Sequence, residues 1–72
     1  LVSEYIMLSL RTAAGISGKR LSELGADREK IFAVLEKYEK YGYARRTGDG
    51  FRLTPKGFLI SNTIIADTLP DD

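Results

Sequence analysis

The sequence has no cysteine and no histidine, and these two absences exclude most independent chemistry. Without thiols or imidazoles the chain has no disulfide, no cysteine nucleophile, no thiolate ligand for an iron–sulfur cluster, no histidine general base and none of the usual zinc ligands. No apolar run approaches the roughly 20 residues that a membrane-spanning helix needs. We therefore expect no catalytic residue, no metal site and no membrane span in this chain.

The sequence also lacks a strong excess of charge of either sign. Eleven Lys and Arg face ten Asp and Glu, so the overall attraction to a polyanion is weak, although a local basic patch is still compatible with these numbers. With 72 residues, 43% of them hydrophobic, the composition is that of one small globular domain. Because Leu1 and Val2 are neither an initiator methionine nor part of a leader, we expect residues 1–72 to be excised from a longer protein.

Residues 42–57 carry the strongest local structural signals. Gly42 can adopt the left-handed conformation that ends a helix, and Thr54 followed by Pro55 is typical of a helix start. Between them, residues 43–47 and 51–53 have the composition of short strands, joined by the turn dipeptide Asp49-Gly50. These signals predict a β-hairpin between two helices.

Four helices are predicted around this hairpin. The first runs from Val2 to about Arg11, and Ser17 caps a second over about residues 18–24. The third begins after Asp27 and continues to Tyr41, with a core face of Ile31, Val34, Leu35, Tyr38 and Tyr41, and the last covers residues 55–69. We predict a mostly α, α+β fold of the winged-helix type, with three helices, a two-stranded hairpin wing and a C-terminal helix.

The first and last helices are apolar on more than one side. Tyr5 and Met7 are either simply exposed or dock on a part of the parent protein. In the last helix one face carries Phe58, Leu59, Ile65, Ala66 and Leu69, whereas Ile60 and Ile64 lie opposite. Asn62 falls within the first face, so its amide is expected to bond to backbone or to a hairpin residue, with a ligand contact as the alternative.

The third helix and the hairpin bear on nucleic-acid binding in opposite ways. The helix interleaves Glu29, Glu36 and Glu39 with basic residues, and Glu36 with Lys40 has the spacing of a solvated intrahelical pair. On the hairpin Arg45, Arg46 and Arg52 are expected close together, where they could lie along a DNA backbone, meet carboxylates of a small ligand or simply be surface residues. A DNA-binding regulator is therefore an alternative function, although a nucleic-acid partner is disfavoured, and an unrelated interaction module is a third.

Two sequence blocks resemble a known family. The opening EYIMLSLR from Glu4 to Arg11, followed by Gly15-Ile16-Ser17, and the closing LTPKGFLISN from Leu53 to Asn62 resemble the C-terminal domain of oxygen-independent coproporphyrinogen III oxidases and their heme-chaperone relatives. These proteins belong to the radical S-adenosylmethionine superfamily. The resemblance extends from Glu4 to Leu69, and the opening block distinguishes it from DNA-binding winged helices with a similar LTPKG segment.

The resemblance implies a cytoplasmic parent protein whose N-terminal radical domain carries a 4Fe-4S cluster and S-adenosylmethionine, with no cofactor in this domain. That parent is either an oxidoreductase acting on coproporphyrinogen or a relative that binds heme, and porphyrinogen or heme is a candidate ligand. Glu4, Arg11 and Asn62 become polar candidates that face either the radical domain or the substrate. Tyr5, Met7, Ile60 and Ile64 become apolar contacts to the radical domain. Gly18 departs from the family pattern and is expected to weaken the second helix.

Overall fold

The computed structural model describes residues 1–70 and has a mostly helical α+β architecture. Asp71 and Asp72, the end of the predicted domain, lie outside the described residues. Within residues 1–70 there are five helices and three strands, in the order α1 Val2–Ser9, β1 Ile16–Ser17, α2 Gly18–Glu23, α3 Arg28–Lys40, β2 Ala44–Thr47, β3 Gly50–Leu53, α4 Pro55–Phe58 and α5 Ser61–Thr68.

Three helices begin at the capping residues that the sequence predicts. The Ser17 hydroxyl accepts from the amide of Arg20 at 3.2 Å, which starts α2. The Asp27 carboxylate accepts from the Lys30 amide at 3.2 Å, and the Thr54 hydroxyl accepts from the Gly57 amide at 3.1 Å. Each cap satisfies a first-turn amide that has no partner within its own helix, so the predicted starts of α2, α3 and α4 are confirmed.

The sheet has three strands rather than the two that were predicted. It is antiparallel in the order β1-β3-β2, so β3 is central and β1 pairs Ile16 with Phe51 and Ser17 with Gly50. Thr47 pairs with Gly50 across the hairpin, which makes the turn Gly48-Asp49 rather than Asp49-Gly50. Gly48 has the positive φ of +45° that this turn requires. Two-residue β1 is too short to show an alternating pattern in sequence.

Gly50 and Gly18 let the strands and α2 approach closely. A Cβ on Gly50 would lie 1.7 Å from the carbonyl oxygen of Ile16, so only glycine fits where β1 meets β3. A Cβ on Gly18 would lie 2.6 Å from the carbonyl oxygen of Asp49 and 2.7 Å from Nε of Arg28. Gly18, which was expected to weaken the second helix, is therefore the residue that allows α2 to start against the hairpin turn.

One apolar core lies between the helices and the inner face of the sheet. Its largest fully buried side chains are Phe51, Ile6, Leu10, Ile16, Leu21, Leu35 and Ile64. Phe32 is half-buried and packs edge-to-face on Phe51, with 5.0 Å between ring centroids. Tyr41, predicted on the core face of α3, is 69% exposed because the helix ends before it.

The predicted last helix is broken in two. α4 ends at Phe58, and the amides of Leu59 and Ile60 bond back to the carbonyls of Lys56 and Gly57 in tight three-residue turns. Ile60 then has the non-helical ψ of 29° at the start of α5. This break changes the helical phase, and so the two predicted faces are not kept: Ile64 and Ile65 are both buried, whereas Leu59 is 86% exposed.

Candidate functional site

A hydrogen bond joins two of the predicted polar candidates, Arg11 and Asn62. Arg11 follows the end of α1, Asn62 lies in the first turn of α5, and a guanidinium Nη of Arg11 donates to Oδ1 of Asn62 at 2.5 Å. Both residues are exposed, so Asn62 is not on a buried face and bonds neither to backbone nor to the hairpin in this contact. Glu4 is not in this contact and lies 3.8 Å from the amino group of Leu1.

Exposed apolar residues precede both partners of this hydrogen bond in the sequence. Leu8 comes three residues before Arg11 and is 70% exposed, and Leu59 comes three residues before Asn62. The Arg11–Asn62 bond therefore joins the two chain segments that carry these apolar residues. We call this region the α1–α5 surface and define it by Met7, Leu8, Arg11, Phe58, Leu59 and Asn62.

The structure changes which apolar residues are available to a partner. Met7 is exposed, but the ring of Tyr5 packs against the core and its hydroxyl accepts from the Ser17 amide at 2.9 Å. Ile60 is half-buried against the core, and Ile64 is part of it. Of the four predicted apolar candidates, Met7 alone belongs to the α1–α5 surface.

Leu8, Phe58 and Leu59 are exposed apolar residues that were not among the predicted candidates. Leu8 was detectable, because α1 has more apolar residues than one buried face needs. Phe58 and Leu59 had no comparable signal, since neither proline nor glycine marks the break at Ile60.

The hairpin arginines do not form one basic patch. Arg45 is directly opposite Arg52, whereas Arg46 is opposite Phe51, so Arg46 lies on the other face of the sheet. The Arg46 guanidinium stacks 4.5 Å from the Phe51 ring centroid and bonds to the Glu36 carboxylate at 2.7 Å. Glu36 thus pairs across the fold with Arg46 rather than along its helix with Lys40. This arrangement removes the three-arginine surface on which the DNA alternative depended.

The hairpin turn is attached to α2 through Asp49. Oδ2 of Asp49 accepts from the Lys19 amide at 2.9 Å and from the Ser17 hydroxyl at 3.3 Å, and its carbonyl oxygen accepts from the Gly18 amide at 3.1 Å. The Lys19 amide holds the pKa of the Asp49 carboxyl below its ordinary value, helped by the Ser17 hydroxyl and the Arg28 guanidinium. The turn therefore serves the start of a helix and is not a free loop.

A second contact joins α3 to α5 beside an apolar cavity. The Tyr38 hydroxyl donates to the Asp67 carboxylate, and this bond, with some burial, raises the pKa of Tyr38 to about 12. The cavity has a volume of about 250 Å³ and is lined mainly by Val2, Ala26, Ile31, Val34 and Leu69. Asp27, Lys30 and Asp67 also line it.

Residues 1–70 contain no cluster of three or more His, Asp or Glu side chains that could hold a metal ion. Over the same residues no helix is both long enough and apolar enough to cross a membrane. The chain has no cysteine and so no thiolate to ligate the iron–sulfur cluster that the resemblance places in the parent protein.

Comparison with family models identifies the chain. Residues 1–60 match the model described as HemN C-terminal domain, which is more than half of the chain. The chain belongs to the HemN C-terminal domain family. This match confirms the resemblance found in the two sequence blocks, links the chain to the HemN-like coproporphyrinogen oxidase family, and implies a radical S-adenosylmethionine domain in the full-length proteins. Comparisons with curated proteins and with solved structures gave no match.

Proposed function

We propose that this HemN C-terminal domain is the accessory domain of an oxygen-independent coproporphyrinogen III oxidase-like protein of porphyrin and heme biosynthesis. It packs on the radical S-adenosylmethionine domain of the same polypeptide and helps to cover the active site there. The cluster, S-adenosylmethionine and the reacting groups belong to that other domain, and the parent, a cytoplasmic protein, is either an oxidase or a heme-binding relative.

The α1–α5 surface is the observation that carries this proposal. Apolar side chains are exposed on two separate elements and flank an Arg–Asn pair. Exposed apolar groups rimmed by polar ones are typical of interaction sites, and arginine is enriched at protein interfaces. The family match supplies the class of partner, because the domain occurs with a radical S-adenosylmethionine domain in full-length proteins.

We also propose that the fold is a winged helix used as a scaffold. Three helices precede the β2–β3 hairpin, and β1 joins the hairpin at its β3 edge, as expected for this fold class. Attachment of the turn to α2 through Asp49 leaves the hairpin unsuited to inserting into a nucleic acid groove. The hairpin's role here is to position α4, whose cap Thr54 also donates to the carbonyl of Gly42 at 2.6 Å.

Arg11 and Asn62 are assigned to the domain interface rather than to substrate. Their mutual hydrogen bond uses part of the donor capacity of Arg11 and leaves other guanidinium N–H groups for a neighbouring domain. In the full-length parent, a loss of substrate affinity on Arg11→Ala without a loss of domain packing would instead support a substrate role.

The test is association of the two domains made as separate chains. The 72-residue chain and the N-terminal radical domain of its parent are mixed, and their Kd is measured by calorimetry. We expect Leu8→Asp and Leu59→Asp each to weaken binding by tenfold or more, about 1.4 kcal/mol, because a carboxylate would replace an apolar contact. Tyr41→Asp is the matched control, since Tyr41 is also exposed and lies outside the α1–α5 surface.

Two outcomes would contradict the proposal. If the unaltered chains do not associate, the accessory role is wrong. If they associate but Leu8→Asp and Leu59→Asp bind as well as Tyr41→Asp, the role stands and the assigned surface is wrong.

A further inference from the structure

Arg45 and Arg52 form a like-charge pair on the outer face of the sheet. They are Cα partners across β2 and β3, so their side chains leave the ladder on the same side, away from Ala44, Phe51 and Leu53 in the core. Like charges directly opposite each other destabilise a sheet unless something compensates them. The position of this pair therefore calls for an explanation.

No compensating group for this pair is present within residues 1–70. Each other arginine has a polar, acidic or aromatic partner: Arg11 bonds Asn62, Arg20 pairs with Glu23, Arg28 lies over Phe32, and Arg46 pairs with Glu36. Arg45 and Arg52 have no hydrogen bond or ion pair to any described side chain, and Nε of Arg52 is shielded from solvent without an acceptor. A guanidinium N–H that is shielded from water and unpaired is unfavourable, which indicates a missing acceptor nearby.

Glycine at two positions lets neighbouring backbone approach the strand beside Arg52 closely. Gly15 runs beside Arg52, where a Cβ would lie 2.8 Å from the Arg52 Cα and 2.0 Å from the Phe51 carbonyl oxygen. Gly50 precedes Arg52 by two residues on the same face of β3. Backbone rather than side chains therefore lies beside Arg52 at these positions, and because Arg45 is exposed and Arg52 half-buried, a ligand can reach the pair from the side of Arg45.

We infer that Arg45 and Arg52 form a carboxylate-binding site on the outer face of the hairpin. Two planar guanidinium groups offer the paired N–H donors that bind a carboxylate through both oxygens. The backbone amides at this point are used in the sheet ladder, and no helix begins here, so the donors that commonly hold phosphate are absent from this part of the described chain. The site takes a polycarboxylate, supplied either by a small molecule or by an acidic protein segment, and it does not rest on the proposed function.

Isotope-resolved NMR of the 72-residue chain tests this inference. The Nε–H signals of Arg45 and Arg52 are followed at constant ionic strength while citrate, a hexaglutamate peptide or inorganic phosphate is added. We expect saturable shifts with a carboxylate probe, and Kd about tenfold higher in Arg45→Gln and in Arg52→Gln, as loss of one charge-assisted bond implies. Arg20→Gln is the matched control, because Arg20 is exposed but already paired with Glu23.

Each outcome either supports or overturns the site. Binding of citrate alone identifies a small ligand, and tighter binding of the peptide identifies an acidic segment of a protein. The inference is overturned if phosphate binds more tightly than both carboxylate probes, if no probe gives saturable shifts, or if Arg20→Gln weakens binding as much as Arg45→Gln and Arg52→Gln do. The backbone spectra of the variants confirm in each case that they are folded.

Discussion

The hairpin turn and the α1–α5 surface differ in how far their groups find partners within the domain. The polar groups of the turn are hydrogen-bonded internally, whereas the apolar side chains of the surface stay exposed. At the turn, the carboxylate and the carbonyl of Asp49 both accept from amides at the start of α2. At the α1–α5 surface, Leu8 and Leu59 remain 70% and 86% exposed. The turn is thus completed within the chain, whereas the α1–α5 surface leaves its apolar side chains exposed.

This contrast also explains why a hairpin with three arginines need not bind DNA. Two features that would meet a phosphate backbone are held by the fold itself, Arg46 by Glu36 and Phe51, and the turn by α2, whereas Arg45 and Arg52 lie on the other face of the sheet. The exposed apolar residues of the α1–α5 surface are not held by the fold in this way. The exposed chemistry of the domain therefore favours a protein neighbour.

Among changes in the hairpin, Gly50→Ala is expected to have the largest effect on stability. Its Cβ would lie 1.7 Å from the carbonyl oxygen of Ile16, and a backbone atom cannot move away as a side chain can. We expect the free energy of unfolding, measured by urea titration with circular dichroism, to fall by about 3 kcal/mol or more. Gly48→Asn is the control, since position 48 is open and asparagine tolerates its positive φ. Equal losses in the two variants would show that β1 does not approach β3 this closely.

Asp49→Asn should have a smaller effect that depends on pH. Because the fold lowers the pKa of this carboxyl, its ionised form stabilises the folded state above the ordinary value of about 4, and that contribution is lost as pH falls through the lowered pKa. The variant should therefore be less stable than the unaltered chain at pH 7, and the difference should shrink as the pH falls below about 4. Thermal unfolding across this range measures the difference, with Glu23→Gln as an exposed control. A difference that persisted unchanged to low pH would contradict a role for the charge.

Leu59→Ser should have the smallest effect on the isolated domain. An 86% exposed side chain contributes little to the core, so we expect the free energy of unfolding to change by less than about 0.5 kcal/mol. Ile64→Ala, at a fully buried position, should cost about 2–5 kcal/mol. Urea titrations of the two variants compare them directly. A large loss for Leu59→Ser would place Leu59 in the core and remove it from the α1–α5 surface.

Local signals in the sequence predicted most of the helix starts. Ser17, Asp27 and Thr54 each satisfy amides only two or three residues away, so their role follows from the neighbouring residues alone. The family resemblance was equally local, since it rests on two short blocks, and the family match bears it out.

The errors arose where distant residues determine the structure. β1 has two residues and exists because β3 pairs with it, and the break at Ile60 follows from packing of α4 on the hairpin, where Gly57 lies against the Tyr43 carbonyl. Because the sequence did not predict that break, the buried Ile64 was counted among the surface candidates and the exposed Leu59 was not. The pairing of Arg11 with Asn62, 51 residues apart in sequence, could not be deduced from helical spacing.

The strand order β1-β3-β2 has a consequence for how the chain acquires its structure during synthesis. β2 and β3 are joined by a two-residue turn and can pair as soon as both have emerged. β1 precedes both in sequence, yet its partner is the central strand β3, so it must wait until residues 50 and 51 are available. Closing this long loop is the slow kind of step in folding. The N-terminal third of the chain therefore completes its packing only after the hairpin has formed.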